Sequence, residues 1–307
     1  MSARPRVTVA MVTYNSERFV REAIASVLAQ DFLDFELLVC DDRSTDGTWE
    51  AICQFDDPRI RALRNPANLG EYPNRNQALQ LARGALLIFI DGDDVIYPHG
   101  LGLMVKMMDA FPGCAFASAQ PPSPKFVYPA ELSPHQFYSC QFLGPNVTGA
   151  NFTQLMFRTA SLRRAGGFDE RFRTGDTYIQ YRLALVEPCV LITGGLAWWR
   201  QYPEQASHRV VRELWGLAEL TRYGQEMLAH PDCPLNPEER QLAKANLLRL
   251  FLRNVQRYIR AGRVVHALRL LRRAGVSLPD WRHMFKQDRR PYLCEVDGAN
   301  PVTGGSN

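Results

Sequence analysis

The sequence lacks any long apolar run. No window approaches about eighteen uninterrupted apolar residues, so no segment reads as a membrane-crossing helix. The opening MSARPRVTVAMVTYN holds no apolar stretch of signal-peptide length and enters strand-like sequence almost at once. Cysteine is sparse and unpatterned: seven residues, at 40, 53, 114, 140, 189, 233 and 294, with no CxxC pair. An odd, scattered set is expected to be free thiols in a reducing cytoplasm. In that setting the Asn-x-Thr sequons at Asn146 and Asn151 carry no meaning. No internal repeat is present, and no motif supports a nucleic-acid partner.

What is there is an ordinary globular composition, 46% apolar and 22% charged over 307 residues, enough for one large domain or one domain with an appendage. The net charge of +4 is unevenly spread. Residues 1–208 carry 19 Lys and Arg against 22 Asp and Glu, residues 209–290 carry 17 against 8, and 291–307 add −2. The secondary-structure pattern changes at the same place, so a boundary is expected near Ser207. The chain then reads as a domain over 1–208, a basic helical region over 209–290 and a disordered tail over 291–307.

In the first part, strand and helix alternate. VTVAMVT (7–13), FELLVCD (35–41), RIRAL (59–63) and ALLIFI (85–90) read as strands. Asn15 and Ser16 are expected to cap the first helix, and Gly84 to close a helix over 73–84. Such alternation implies right-handed crossovers and a mostly parallel sheet, with the ligand crevice outside the strands' carboxyl ends. Beyond residue 113 the alternation decays. Residues 123–137 read as an irregular Pro-rich loop, 149–158 as a strand, 175–185 as a helix, and three helices as filling 209–229, 238–260 and 263–273.

The fourth strand ends in an acidic cluster, Asp91-Gly92-Asp93-Asp94. A calcium loop would need an oxygen ligand, Gly and Glu where Val95, Ile96 and Gly102 stand. Helix capping, with Tyr97-Pro98 opening a helix, needs one carboxylate rather than three. Two aspartates one residue apart can both approach a hard cation, with a substrate phosphate completing the shell. A divalent ion so placed would neutralise charge on a departing nucleotide.

Taken with VTVAMVTYNSERFV, SVLAQDFLDFELLVCDDRSTDGT and NLGEYPNRNQALQLARG, this Asp-x-Asp resembles family 2 glycosyltransferases of the GT-A fold, over roughly residues 5–208. The resemblance implies an α/β, Rossmann-like, mostly parallel sheet flanked by helices. The C-terminal helices lie outside it. It also implies roles for residues. Thr13, Tyr14 and Asn15 would receive the base and ribose, and Asp41 or Asp42, with Asp42 favoured, would accept from the uracil imide. Asn68 would face the nucleotide, and Arg75 would reach base or diphosphate. Asp91 and Asp93 would hold Mn²⁺ or Mg²⁺, with Gly92 permitting the sharp backbone between them.

The catalytic base of the family follows Gly-Gly-Phe-Asp-Glu, intact here at 166–170, as an acid plus aspartate opening an apolar helix. Asp176 takes that place, preceded by Gly175 where the family has an acid. Asp169 and Glu170 are read as holding the loop. In WWRQYPEQASH (198–208), Trp199, Arg200 and Ser207 match the family's closing segment, but Tyr202 stands where His is common and His208 is a candidate substitute. The Gln-x-x-Arg-Trp signature of processive synthases is absent. The expectation is therefore an inverting, non-processive transferase using a nucleotide-sugar donor, with uridine favoured, and a glycan or lipid-linked acceptor.

Two rivals fare worse. A sugar nucleotidyltransferase would need a Gly-rich phosphate loop, and VTVAMVTYNSERF has no glycine. A non-catalytic binding protein on the same fold predicts losses at Asp91, Asp93 or Asp176, and all three are present. Arg249, Arg253, Arg257 and Arg260 fall at spacings of four, four and three, making a basic stripe on one helix. The stripe is either a solvated outer face or a contact with anionic lipid, which would place the protein peripherally on the inner face of the cell membrane.

Overall fold

The computed structural model describes residues 4–144, 146–202 and 215–276. Strands β1 (Val7–Thr13), β2 (Phe35–Asp41) and β4 (Leu86–Asp91) are almost wholly apolar and buried on both faces, as a sheet covered by helices requires. Together with β3 (Ile60–Arg64), β6 (Phe116–Gln120), β7 (Ala130–Leu132), β8 (Leu155–Arg158) and β9 (Cys189–Thr193) they form one sheet, ordered β3-β2-β1-β4-β8-β6-β9-β7. The β3-β2-β1-β4 half is parallel throughout. β8 runs antiparallel to both β4 and β6, β7 runs antiparallel to β9, and β6 and β9 are parallel. The sheet is thus mixed, parallel where βαβ units build it.

Side-chain alternation along β4 assigns its two faces to different cores. Leu87 and Phe89 join a core with helices α3 (Glu71–Leu81), α5 (Pro134–Leu143) and α7 (Gly175–Leu183). Leu86, Ile88 and Ile90 join the opposite core with α1 (Val20–Leu28) and α4 (Gly100–Ala110). Short helices α2 (Thr48–Ile52) and α6 (Thr159–Arg164) complete this part, and a two-stranded ribbon pairs β5 (Val95–Ile96) with β10 (Ala197–Trp198).

Several local expectations are corrected. Asn15 and Ser16 do not cap α1, whose N-cap is Phe19; Asn15 sits at φ 51° and accepts from Thr45 N–H instead. Gly84 lies past the end of α3, where an added Cβ would stand 2.3 Å from Thr8 N, so close packing on β1 demands it. Segment 123–137 is not all loop. It contains β7 and the start of α5, which opens with a capping box between Ser133 and Gln136. Only 155–158 of the expected strand 149–158 is extended in the sheet, after a 3-10 turn at Phe152–Gln154.

Helices α8 (Trp215–Ala229), α9 (Pro237–Arg260) and α10 (Val264–Ala274) follow. Tyr223 and Met227 of α8 are buried in the same core as Tyr138 and Tyr181. A smaller core of Ala218, Phe251, Leu252, Val255 and Leu270 joins the three helices to one another. Arg249 is 6% exposed and leaves the expected basic stripe, while Arg253, Arg257 and Arg260 remain exposed. Cys140 is disulfide-bonded, against the expectation of free thiols. Spacing along the chain carries no information about which distant cysteines folding brings together. Cys40, Cys53, Cys114, Cys189 and Cys233 are free.

Candidate active site

Register brings three strand ends together. Thr13 lies opposite Asp41, and Val12 opposite Asp91, so the turns after β1, β2 and β4 share one edge of the sheet. Gly92 is needed there because a Cβ would come within 2.6 Å of Thr13 Cγ2. The constraint is this close approach of β1, rather than the sharp backbone expected from sequence. Tyr14 beside it is half exposed, and Asn15 ties the β1 turn to the Ser44-Thr45 turn.

The aspartates after β2 are buried and internally bonded. Asp41 accepts from the Ser44 hydroxyl and backbone N–H and pairs with Arg64 Nε at 3.3 Å. Asp42 accepts from Asn65 Nδ2 at 2.9 Å and from the Leu69 and Gly70 backbone N–H groups, each at 2.8 Å. Asn65 in turn donates to Asn74 Oδ1, and Asn74 to the Cys40 carbonyl. Asp42 thereby fixes the loop that carries Asn68, which is exposed. Asn65 and Asn74 were not foreseen; nothing in their spacing distinguishes them from ordinary turn and helix asparagines.

Arg75, on α3, is buried to 1% exposure. Its Nη2 donates to Asp91 Oδ1 at 2.5 Å and to Glu71 Oε1 at 3.3 Å, and its Cζ lies 3.9 Å from the centre of the Phe152 ring. Nε and Nη1 are buried without a protein partner. Burial alone would lower its pKa, but the charges of Asp91 and Glu71 outweigh this and hold the guanidinium protonated.

The acidic turn divides its labour. Asp94 is 1% exposed and accepts from Thr153 Oγ1 at 2.8 Å and from Arg200 N–H at 3.1 Å, bolting the turn to two other segments. Asp93 accepts from the Tyr202 hydroxyl at 2.8 Å through Oδ2. Arg200 Nε donates to the Asp93 carbonyl, and its guanidinium lies between the Phe19 and Trp198 rings, 4.5 Å from each centre. Tyr202, at the position where the family commonly has His, therefore holds the candidate metal turn directly. Ser207 and His208 lie outside the described residues. Burial, then the charges of Asp91 and Asp93, pushes Asp94 up to about 7. Burial, then Asp91, also raises Asp93.

Asp176 opens α7, its Oδ1 accepting from Thr177 N–H at 2.7 Å. Burial raises its pKa, with the Thr177 N–H and Arg75 opposing and Asp91 reinforcing the rise. Asp176, Asp91 and Arg75 thus share one electrostatic neighbourhood. Asp169 is held by Arg171, and Glu170 accepts from Asn76 Nδ2, so both brace the preceding loop.

No cluster of three metal-ligating side chains occurs among the described residues. The residues nevertheless suit a hard divalent cation. Asp91 and Asp93 offer carboxylate oxygens on one turn, where burial first and neighbouring carboxylates second raise Asp93 and Asp94. Two carboxylates supplemented by phosphate oxygens match the way Mg²⁺ is usually held.

Comparison with known proteins decides the family. The glycosyl transferase family 2 model matches residues 8–169. The chain belongs to that family. Among curated relatives, WfgD of Escherichia coli, named a UDP-Glc:alpha-D-GlcNAc-diphosphoundecaprenol beta-1,3-glucosyltransferase, is 39% identical over 102 residues, 33% of this chain and 40% of its own length. The putative colanic acid glycosyl transferase WcaA of E. coli K12 is 32% identical over 186 residues, 55% of this chain and 66% of its own length. The family 2 chain thus spans well under two thirds of WfgD. Its fold matches Staphylococcus aureus TarS bound to UDP-GlcNAc at TM-score 0.63 and 19% identity, covering 88% of this chain and 92% of TarS 1-349. It also matches a Pyrobaculum calidifontis mannosyltransferase bound to GDP-Man and Mn²⁺, at TM-score 0.61 and 21% identity over 92% of this chain and 84% of that one. The GT-A fold expected from sequence is the fold found.

Proposed function

We propose that the protein transfers a sugar, with inversion, from a uridine diphosphate donor to a hydroxyl of a lipid-linked glycan acceptor in polysaccharide synthesis. The observation that carries this reading is the neighbourhood of Asp176, Asp91 and Arg75 at the carboxyl edge of the sheet. WfgD and WfaP are both named for a UDP-Glc donor and a diphosphoundecaprenol acceptor, which favours uridine and a lipid-linked partner.

Asp176, with its pKa raised by burial, takes the acceptor proton as the hydroxyl attacks the anomeric carbon from the face opposite the leaving group. The turns carrying Thr13, Tyr14, Asn15, Asp41, Asp42 and Asn68 form the donor's nucleoside side. Arg75 orients Asp91, and Arg200 with Tyr202 orients Asp93. Asp91 and Asp93 would hold Mn²⁺ or Mg²⁺, which supplies charge stabilisation to the departing diphosphate. The exposed Arg253, Arg257 and Arg260 of α9 lie on the basic region and favour peripheral contact with an anionic membrane at its cytoplasmic face. No helix among the described residues is long and apolar enough to cross a membrane.

The test is a thermal-shift screen of uridine, guanosine and thymidine diphosphate sugars with and without Mn²⁺, followed by assay of nucleotide release. Metal-dependent stabilisation and slow UDP release from one donor support the reading. Failure of every donor to bind or react overturns it.

A further inference from the structure

A cleft of about 440 Å³ lies between the loop ahead of Asp176 and the C-terminal helices. Among the described residues, five arginines line it, Arg171, Arg222, Arg269, Arg272 and Arg273, with a single acid, Glu219. The sugar-transfer reading uses none of them.

Among the described residues, the acids near this cleft already have partners, and two of them neutralise Arg171. Glu219 is 6% exposed, and its Oε2 accepts from Arg173 N–H at 2.7 Å and Thr174 Oγ1 at 3.1 Å. Asp169 and Glu226 both pair with Arg171, at 2.6 and 3.0 Å. Among the described residues, Arg222, Arg269 and Arg272 make no ion pair with a carboxylate, and Arg222 lies 5.8 Å from the centre of the Phe172 ring. Phe172 and Ala218 form an apolar wall, which strengthens the electrostatic pull on an anion. Like-charged guanidiniums lining one cleft favour an anion between them, and their paired N–H groups match phosphate oxygens.

We propose that this cleft binds a phosphate or diphosphate group, clamped between Arg222 of α8 and Arg269 and Arg272 of α10. Arg222 belongs to α8, and Arg269 and Arg272 belong to α10, so one anion bridges the two helices. Helix α10 exposes Val264, Val265 and Leu268, each half or more accessible, beside its arginines. An apolar face next to a phosphate cleft suits a group presented at a lipid surface. The shared chemistry is phosphate, whether it is carried by a lipid or free in solution. The proposal stands independently of the donor site.

Inorganic pyrophosphate titrated calorimetrically in metal-free buffer tests it, comparing the wild-type chain with Arg269→Gln/Arg272→Gln. Both positions are exposed, so an unchanged melting temperature is expected, and Arg222→Gln provides a second variant on a different helix. The cleft predicts at least about tenfold weaker pyrophosphate binding in the variants, in line with the loss of charge-assisted bonds. UDP is titrated separately with Mn²⁺ to report the donor site, and its metal-dependent affinity should be the same in wild type and variants. A failure of UDP to bind would count against the donor site and leave the pyrophosphate comparison intact. Flotation with phosphatidylcholine vesicles, with and without phosphatidylglycerol, separates the sources. Variant-sensitive binding to anionic vesicles that pyrophosphate displaces assigns a lipid phosphate. Variant-sensitive pyrophosphate binding without vesicle binding assigns a soluble one. If neither probe distinguishes wild type from the variants, the cleft is not a phosphate site.

Discussion

The Tyr72 hydroxyl accepts a hydrogen bond from Gly175 N–H at 2.7 Å, and a Cβ on Gly175 would stand 2.4 Å from the Tyr72 ring. The two residues are complementary. The ring fills the space a side chain at position 175 would need, and its hydroxyl holds the first turn of α7 by its backbone. Glycine at 175 is thus fitted to Tyr72 of α3. Gly175→Ala should destabilise the fold by about 1–3 kcal/mol through overpacking. In a Tyr72→Ala background the same change should cost much less, since the clash is gone. Urea unfolding of the four proteins measures the coupling, and strict additivity would mean the ring and glycine do not constrain each other.

Asp176→Asn should lower turnover by about 10²–10⁴-fold while UDP binding persists. Because burial raises the Asp176 pKa, the acid limb of the wild-type rate profile should lie above the ordinary carboxylate value of 3.8. The stability sign runs the other way. A raised folded pKa means the native state holds the proton more tightly, so stability falls as pH rises from 3.8 through the folded value. Asp176→Asn removes that penalty and should melt higher than wild type at neutral pH, with the gain vanishing below about 4. Equal melting temperatures across the range would place the carboxyl in water.

Asp91 and Asp93 should separate in their effects. Asp93→Asn keeps an oxygen for Tyr202 and is expected to leave the fold intact while removing the thermal shift produced by Mn²⁺ with UDP. Asp91→Asn should remove that shift and also cost stability, because Arg75 is buried and loses a charged partner. Breaking a buried pair costs about 3–5 kcal/mol, and the 36% exposure of the Asp91 side chain reduces this to roughly 1–3. A Mn²⁺ response that survives in both variants places the cation elsewhere.

The sequence announced its parallel half clearly because β1, β2 and β4 are short apolar runs ending in polar turns, a pattern with few alternatives. β7 and α5 were hidden by the prolines of 123–137, although Ser133 and Gln136 carry a legible capping box. Asp91, Asp93 and Asp176 could be nominated by position, since strand ends and helix starts are local features. Their partners could not. Thr153 with Asp94, Tyr202 with Asp93, and Tyr72 with Gly175 are separated by 59, 109 and 103 residues, and only the folded chain joins them. The arginine cleft was hidden similarly: the basic stripe visible in sequence belongs to α9, whereas the cleft draws from a loop, α8 and α10.

Asp94 gives a pH test that needs no substrate. Its carboxyl, pushed up to about 7 by burial and by Asp91 and Asp93, ionises in the native state well above its ordinary 3.8. The folded protein therefore binds the extra proton across that window, and Asp94 costs stability progressively as pH climbs from about 4 to 7. Asn at this position can still accept from Arg200 N–H, and its amide can donate to Thr153 Oγ1, so the bolt survives without the charge. In EDTA, Asp94→Asn should match or fall below wild type near pH 4 and gain on it steadily toward pH 8. Melting curves at five pH values settle the matter: a difference that stays flat would mean that neither burial nor its two acidic neighbours raises the Asp94 carboxyl.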